Sequence, residues 1–311
     1  MMSRQFYRAA LTLAIVALTT TPARAAAQTS ASGSMEEAAP PGANYDKAEF
    51  RFWYPHDAGS LKAVLVLMPG SNGDGRPAAE DTVWQAFATK NKLAVVACRF
   101  TDKPHDQSFI EEYANVSKGS GQVLLDAIAK FSARSQHPEI ATAPLLLWGM
   151  SAGGEFNYEF AVWKPERVAA FIVNKGNFYY TALVPPATRE VPGMLFVGGK
   201  DLEFRTNTIV GLFALNRRGG ALWALADEPG VGHVVGKSRD VAMVFFEDVL
   251  AARLPDAGGG LKPMPAKPGF LGDFKTKSYQ PIGDAAPKDP TAWLATERVA
   301  RAWQDMVSSK P

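Results

Sequence analysis

The sequence predicts an α/β domain, a mostly parallel central sheet with helices on both faces. Apolar strand-like runs and amphipathic helix-like runs take turns from about Tyr45 to residue 254. One of those runs, "KAVLVLMPG", is continuously apolar and short, bounded by turn residues as a core strand would be. Length agrees: once a leader is removed, roughly 286 residues remain, enough for one large domain with a substantial core.

The leader is expected at residues 1 to 25. Arg4 and Arg8 precede the apolar stretch Ala9 to Leu18, and Ala23-Arg24-Ala25 supplies a small-residue cleavage pattern. The run is too short for a permanent membrane anchor, so the chain reads as secreted or periplasmic. Residues 26 to 44 lack periodicity and are rich in Ala, Ser, Gly and Pro, which predicts a flexible leader ahead of the fold.

Order is expected from Tyr45. In "AEFRFWYP" the residues Phe50, Phe52 and Tyr54 alternate as in a half-buried strand. "KAVLVLMPG" follows, then the helical "DTVWQAFATK" and the strand "LAVVACRF". In "GQVLLDAIAKF" the residues Leu124, Ile128 and Phe131 share a helical face, and the strand "PLLLW" comes next. Beyond Ser151, Phe156, Phe160 and Trp163 recur at helical spacing. "RVAAFIVN", "GMLFVGG" and "ALWALA" read as strands; "TNTIVGLFALNRRGG" and "SRDVAMVFFEDVLAARL" read as helices, the former closed by Gly219.

Residues 255 to 311 form a tail outside this alternation. Residues 255 to 288 read as an extended Pro/Gly/Lys-rich arm. A helix follows, in which Asp289 caps, Pro290 opens the first turn, and Trp293, Ala300, Trp303 and Val307 share a face that docks on the domain.

Composition narrows the function classes. With 33 basic and 31 acidic residues, no net field favours nucleic acid or anionic lipid. Cys98 is the only cysteine and sits inside an apolar strand, which predicts a buried structural thiol and excludes a disulfide framework.

Chemistry is concentrated around "LLLWGMSAGGEF". A serine between small residues, on a tight turn from strand to helix, has its hydroxyl pushed out of the backbone toward a substrate carbonyl. A serine hydroxyl needs an imidazole to accept its proton and a carboxylate to orient that imidazole. Of the histidines His56, His105, His137 and His233, only His233 follows Ser151, in the loop "DEPGVGHVVG" after the last predicted strand. Asp201 directly follows an apolar strand and two glycines in "GMLFVGGKDLEF" and is the expected carboxylate. Among its competitors, Asp227 and Glu228 lie too near His233 in sequence, and Glu203 falls in the start of a helix. A developing oxyanion needs preorganised donors. The N–H of Ala152, at a helix N-terminus, is one; the glycine-rich "PGSNGDGR" offers the second, with Ser71 preferred and Asn72 next.

With Ser151, Asp201 and His233 in this order on this strand pattern, the chain resembles an α/β-hydrolase. Within that group it is similar to the secreted single-domain esterases that include feruloyl esterases and poly(3-hydroxybutyrate) depolymerases. The likeness covers roughly residues 48 to 252, through "GMSAGG", "VGGKD" and "GVGHVV". It implies Ser151 as nucleophile, Asp201 as orienting acid, His233 as general base and Ala152 as an oxyanion donor, with an acyl-enzyme and no metal or organic cofactor. Where many members carry His-Gly in the oxyanion loop this chain has Pro69-Gly70, which weakens the assignment of the second donor. The segment from Gly176 to Pro192 is too short for a large helical cap, which implies an open site compatible with bulky or polymeric esters, the expected partner being a small-molecule or polymeric ester substrate. Phe178, Tyr179 and Tyr180 either line that site or pack in the core or at the rim. A serine peptidase of the same fold and a non-catalytic binding protein are the alternative functions.

Overall fold

In the computed structural model the described residues are 33–57, 59–255, 260–284 and 289–310. The expected signal segment and the first part of the leader lie outside them. An eight-stranded sheet has the order β1-β2-β4-β3-β5-β6-β7-β8. Its strands are β1 (Met35–Ala39), β2 (Lys47–Trp53), β3 (Ala63–Met68), β4 (Leu93–Thr101), β5 (Leu145–Gly149), β6 (Val168–Asn174), β7 (Gly193–Gly198) and β8 (Trp223–Glu228). From β4 to β8 all neighbours pair in parallel; β1 and β2 pair antiparallel, as do β2 and β4.

The helices are α1 (Thr82–Asn91), α2 (Ser120–Ser135), α3 (Ala152–Trp163), α4 (Pro186–Arg189), α5 (Glu203–Arg218), α6 (Ser238–Arg253) and α7 (Glu297–Val307). Strands buried on both faces read as unbroken apolar runs, and β3 divides its side chains accordingly. Val64, Val66 and Met68 pack with α2, α3 and α5 on one face. Ala63, Leu65 and Leu67 pack with α1, α6 and α7 on the other. Leu124, Ile128 and Phe131 of α2 are fully buried, as their spacing predicts. Cys98 is buried in β4, and burial pushes its thiol pKa up.

The structure corrects the sequence reading in two places. Residues 35–39 of the expected flexible leader form the edge strand β1, with Met35 opposite Phe52 and Ala39 opposite Ala48. "MEEAA" carries no apolar alternation. Besides its backbone ladder, β1 is tied down by ion pairs, Glu36 to Arg51 (2.6 Å) and Glu37 to Lys130 (2.6 Å).

The tail is also more ordered than an arm and a helix. Strands β9 (Phe270–Asp273), β10 (Ser278–Pro281) and β11 (Ala292–Leu294) form a three-stranded antiparallel sheet in the order β10-β9-β11. Trp293 therefore lies in a strand, not on the expected helix, and the helix starts later because Thr296 caps it, its Oγ1 accepting from Val299 N–H at 3.1 Å. Trp293 and Trp303 are both buried in the core shared with α6, so docking on the parent domain holds for each. Trp303 Nε1 donates to the Leu225 carbonyl at 2.6 Å.

Candidate active site

Strand order reverses around β3, since β4 lies on one side of it and β5 on the other. In open parallel sheets the crevice outside the carboxyl ends of such strands is where ligands bind. Gly70 and Ser71 leave β3 at that point, and Ser151 leaves β5.

Ser151 has φ 54° and ψ −128°, a left-handed conformation that costs a non-glycine residue about 1–3 kcal/mol. Two neighbours enforce it. Ser151 N–H donates to the Asn174 carbonyl at the end of β6 (2.8 Å), while the Ser151 carbonyl accepts from Gly154 N–H (2.8 Å) and opens α3. The flanking glycines are required by close approach. A Cβ on Gly153 would run into the carbonyl oxygens of Met68 and Pro69, and one on Gly149 into that of Gly153. The helix can thus begin tight against the sheet.

His233 and Asp201 meet across two loops, His233 Nδ1 lying 2.8 Å from Asp201 Oδ2. The other carboxylate oxygen of Asp201 accepts from Leu202 N–H (2.7 Å) and faces Arg205 (3.4 Å). Partial burial works to raise the Asp201 pKa. The hydrogen bonds from His233 and Leu202 and the charge of Arg205 outweigh it and hold the carboxyl below its ordinary range.

Ser151 and His233 line one cavity of about 700 Å³, together with Gly70, Ser71, Phe109 and Asn177 among others. No hydrogen bond joins the Ser151 hydroxyl to His233; nucleophile–base contacts are often long without substrate. A second cavity, about 620 Å³ and walled mostly by apolar groups of β7, β8 and α5, includes Asp201 but neither Ser151 nor His233. Ser71 N–H and Ala152 N–H make no hydrogen bond among the described residues, whereas Asn72 N–H donates to Tyr113 Oη at 3.4 Å. Ser71 lies on the cavity wall; Ala152 is buried at the helix start.

Phe178, Tyr179 and Tyr180 are not on the cavity wall, where Asn177 stands instead. The Tyr179 ring packs on Tyr158, and Tyr180 Oη donates to the Glu111 carbonyl (3.1 Å). The cause is a pair of buried carboxylates on α3 that the sequence reading missed. Glu155 accepts from Asn177 N–H (2.7 Å), and Glu159 accepts from the N–H groups of Tyr180 (2.7 Å) and Thr181 (2.9 Å). Burial, with Glu111 nearby, pushes the Glu155 pKa up to about 8. Two acidic residues four apart inside the apolar helix "AGGEFNYEFAVW" were the available signal.

Arg205, also missed, lies on the cavity wall with its guanidinium 5.4 Å from the Phe109 ring centroid and 5.7 Å from that of Phe204. Between Gly176 and Pro192 the only helix is α4, of four residues, so no helical cap covers the cavity from there. Among the described residues no group of three or more His, Cys, Asp or Glu is placed to hold a metal ion, and no helix is long and apolar enough to cross a membrane.

No protein-family model matches the chain, and no curated protein matches its sequence. Solved structures do match in fold. LpqC, a poly(3-hydroxybutyrate) depolymerase from Bordetella parapertussis, superposes with a TM-score of 0.51 at 17% identity over 73% of this chain and 92% of its own. A ferulic acid esterase gives 0.51 at 11% identity over 70% and 97%. A bacterial heroin esterase gives 0.51 at 14% identity over 70% and 84%. The sheet order, the left-handed serine turn and these likenesses agree that the chain has the α/β-hydrolase fold.

Proposed function

We propose that the protein is an exported serine hydrolase that cleaves carboxylic esters through an acyl-enzyme on Ser151. The observation that carries this reading is the pairing of His233 with Asp201 at 2.8 Å, beside the cavity that Ser151 lines from a left-handed turn. In this reading His233 accepts the Ser151 proton through Nε2 while Asp201 keeps the Nδ1–H tautomer. Ser151 Oγ attacks the ester carbonyl, and the oxyanion is met by the free N–H groups of Ala152 and Ser71. The alcohol leaves with the proton from His233, and water releases the acid by the same steps in reverse. Names of the fold neighbours, which include esterases and a polyester depolymerase, are in keeping with small or polymeric ester substrates.

The test is hydrolysis of p-nitrophenyl esters of graded acyl length, beside a peptide anilide, with Ser151→Ala as control. Ester turnover that the substitution lowers by roughly 10⁴-fold or more is expected. Cleavage of the anilide alone would make the protein a peptidase, and turnover untouched by the substitution would remove Ser151 from the chemistry.

A further inference from the structure

The loop that carries His233, residues 229–237, has no regular structure. Gly230 (φ 73°) and Gly236 (φ 59°) lie in the left-handed region, and Gly232 lies between them. Such a segment holds an imidazole in place only if it is anchored from outside. Beyond the Asp201 contact, its anchors converge on the ends of β6, β7 and β8. Lys200 N–H donates to the Val231 carbonyl (2.9 Å), and Asn174 Nδ2 donates to that of Val235 (3.4 Å). The N–H of Lys237, at the loop's end, donates to Glu228 Oε1 at 2.6 Å.

Glu228 is itself held from below. Lys175 Nζ donates to Glu228 Oε2 (3.1 Å) and to Asn174 Oδ1 (3.1 Å), and the two charged side chains are 0% and 3% exposed. Lys175 adopts φ 56° to turn its side chain there, directly after the residue whose carbonyl holds Ser151 N–H. The fit is close: a Cβ on Gly236 would overlap the Glu228 carboxylate, and one on Gly198 would sit 2.9 Å from Lys175 Cε. A buried ion pair is a poor source of stability, because apolar side chains of similar volume would fill the place at no net loss. Its hydrogen bonds do something apolar groups cannot. They fix the histidine loop to the strand end that fixes the serine.

We propose that Lys175 and Glu228 are positioning residues that set the place of His233 relative to Ser151, through Lys237 N–H on one side and Asn174 on the other. The inference rests on the reading of His233 as the base for Ser151.

The experiment compares the wild-type protein with Lys175→Met/Glu228→Met, which leaves no charge buried, and with Gly236→Ala, which keeps both charged residues but wedges a methyl group between the loop and the Glu228 carboxylate. kcat and KM for p-nitrophenyl acetate, the thermal midpoint and the low-field imidazole proton of the His233–Asp201 hydrogen bond are read for each. A folded double variant is expected to lose about 10- to 100-fold in kcat with KM within about threefold, and its low-field resonance broadens or vanishes. Gly236→Ala is expected to move the same readouts in the same direction, and it carries the test alone if the double variant does not fold. Wild-type kcat with an unchanged resonance in a folded variant would overturn the proposal and leave the pair a packing feature. If the wild-type protein turns over no ester, the proposed function falls, while the resonance still decides whether the pair places the imidazole.

Discussion

Asp201 Oδ2 lies 2.8 Å from His233 Nδ1, although 32 residues of chain separate them. The contact joins the loop after β7 to the loop after β8, and it faces the carboxylate whose other oxygen is held by Leu202 N–H. Asp201→Asn keeps the shape of that contact and reverses its preference for the Nδ1–H tautomer. A fall in kcat of about 10³- to 10⁴-fold is expected, with unchanged far-ultraviolet circular dichroism. Steady-state kinetics on a p-nitrophenyl ester checks it.

The raised pKa of Glu155 makes stability fall with pH. In the folded protein the carboxyl titrates at about 8, above its unfolded value, so between the two the folded state binds the extra proton. Stability from this group is full below the unfolded pKa and is lost as pH rises through the folded one. Glu155→Gln keeps an acceptor for Asn177 N–H and removes the titration. At pH 8 the variant is expected to be more stable than wild type by roughly 1–3 kcal/mol, and nearly equal to it at pH 5. Urea midpoints at the two pH values decide.

Gly153 meets the end of β3 with no room for a side chain. Gly153→Ala forces backbone to move at the serine turn, at a cost of about 1–3 kcal/mol. The thermal midpoint is expected to drop, and kcat to drop further than the remaining folded fraction explains. A wild-type midpoint would mean that the helix is not pressed against the strand as described.

The ordered tail is expected to be part of the same cooperative unit. Trp303 is fully buried and donates to a carbonyl of β8. Trp303→Ala should cost about 3–5 kcal/mol, visible as one shifted unfolding transition in calorimetry. A separate transition for the tail would contradict this.

Much of the fold is legible in the sequence where a strand is buried on both faces: "KAVLVLM", "LLLW" and "GMLFVG" can hardly sit elsewhere. β1 is not legible because its partners Arg51, Lys130 and Arg134 are distant in sequence and its own residues show no alternation. Trp293 fits a helical stripe as well as it fits β11, and only the pairing with Leu271 decides between them. The contact between His233 and Asp201 could be anticipated because chain order leaves few candidates. The roles of Glu155, Arg205, Lys175 and Glu228 could not. Each depends on a neighbour that folding brings alongside: Asn177 N–H, the Phe109 ring, or a partner of opposite charge.

The most direct measurement is mass spectrometry of the protein after reaction with a fluorophosphonate, followed by peptide mapping. The account predicts a single adduct, on the peptide containing Ser151, formed much more slowly when His233 is replaced by Ala. An adduct on another residue, or labelling at the wild-type rate without the imidazole, would contradict it.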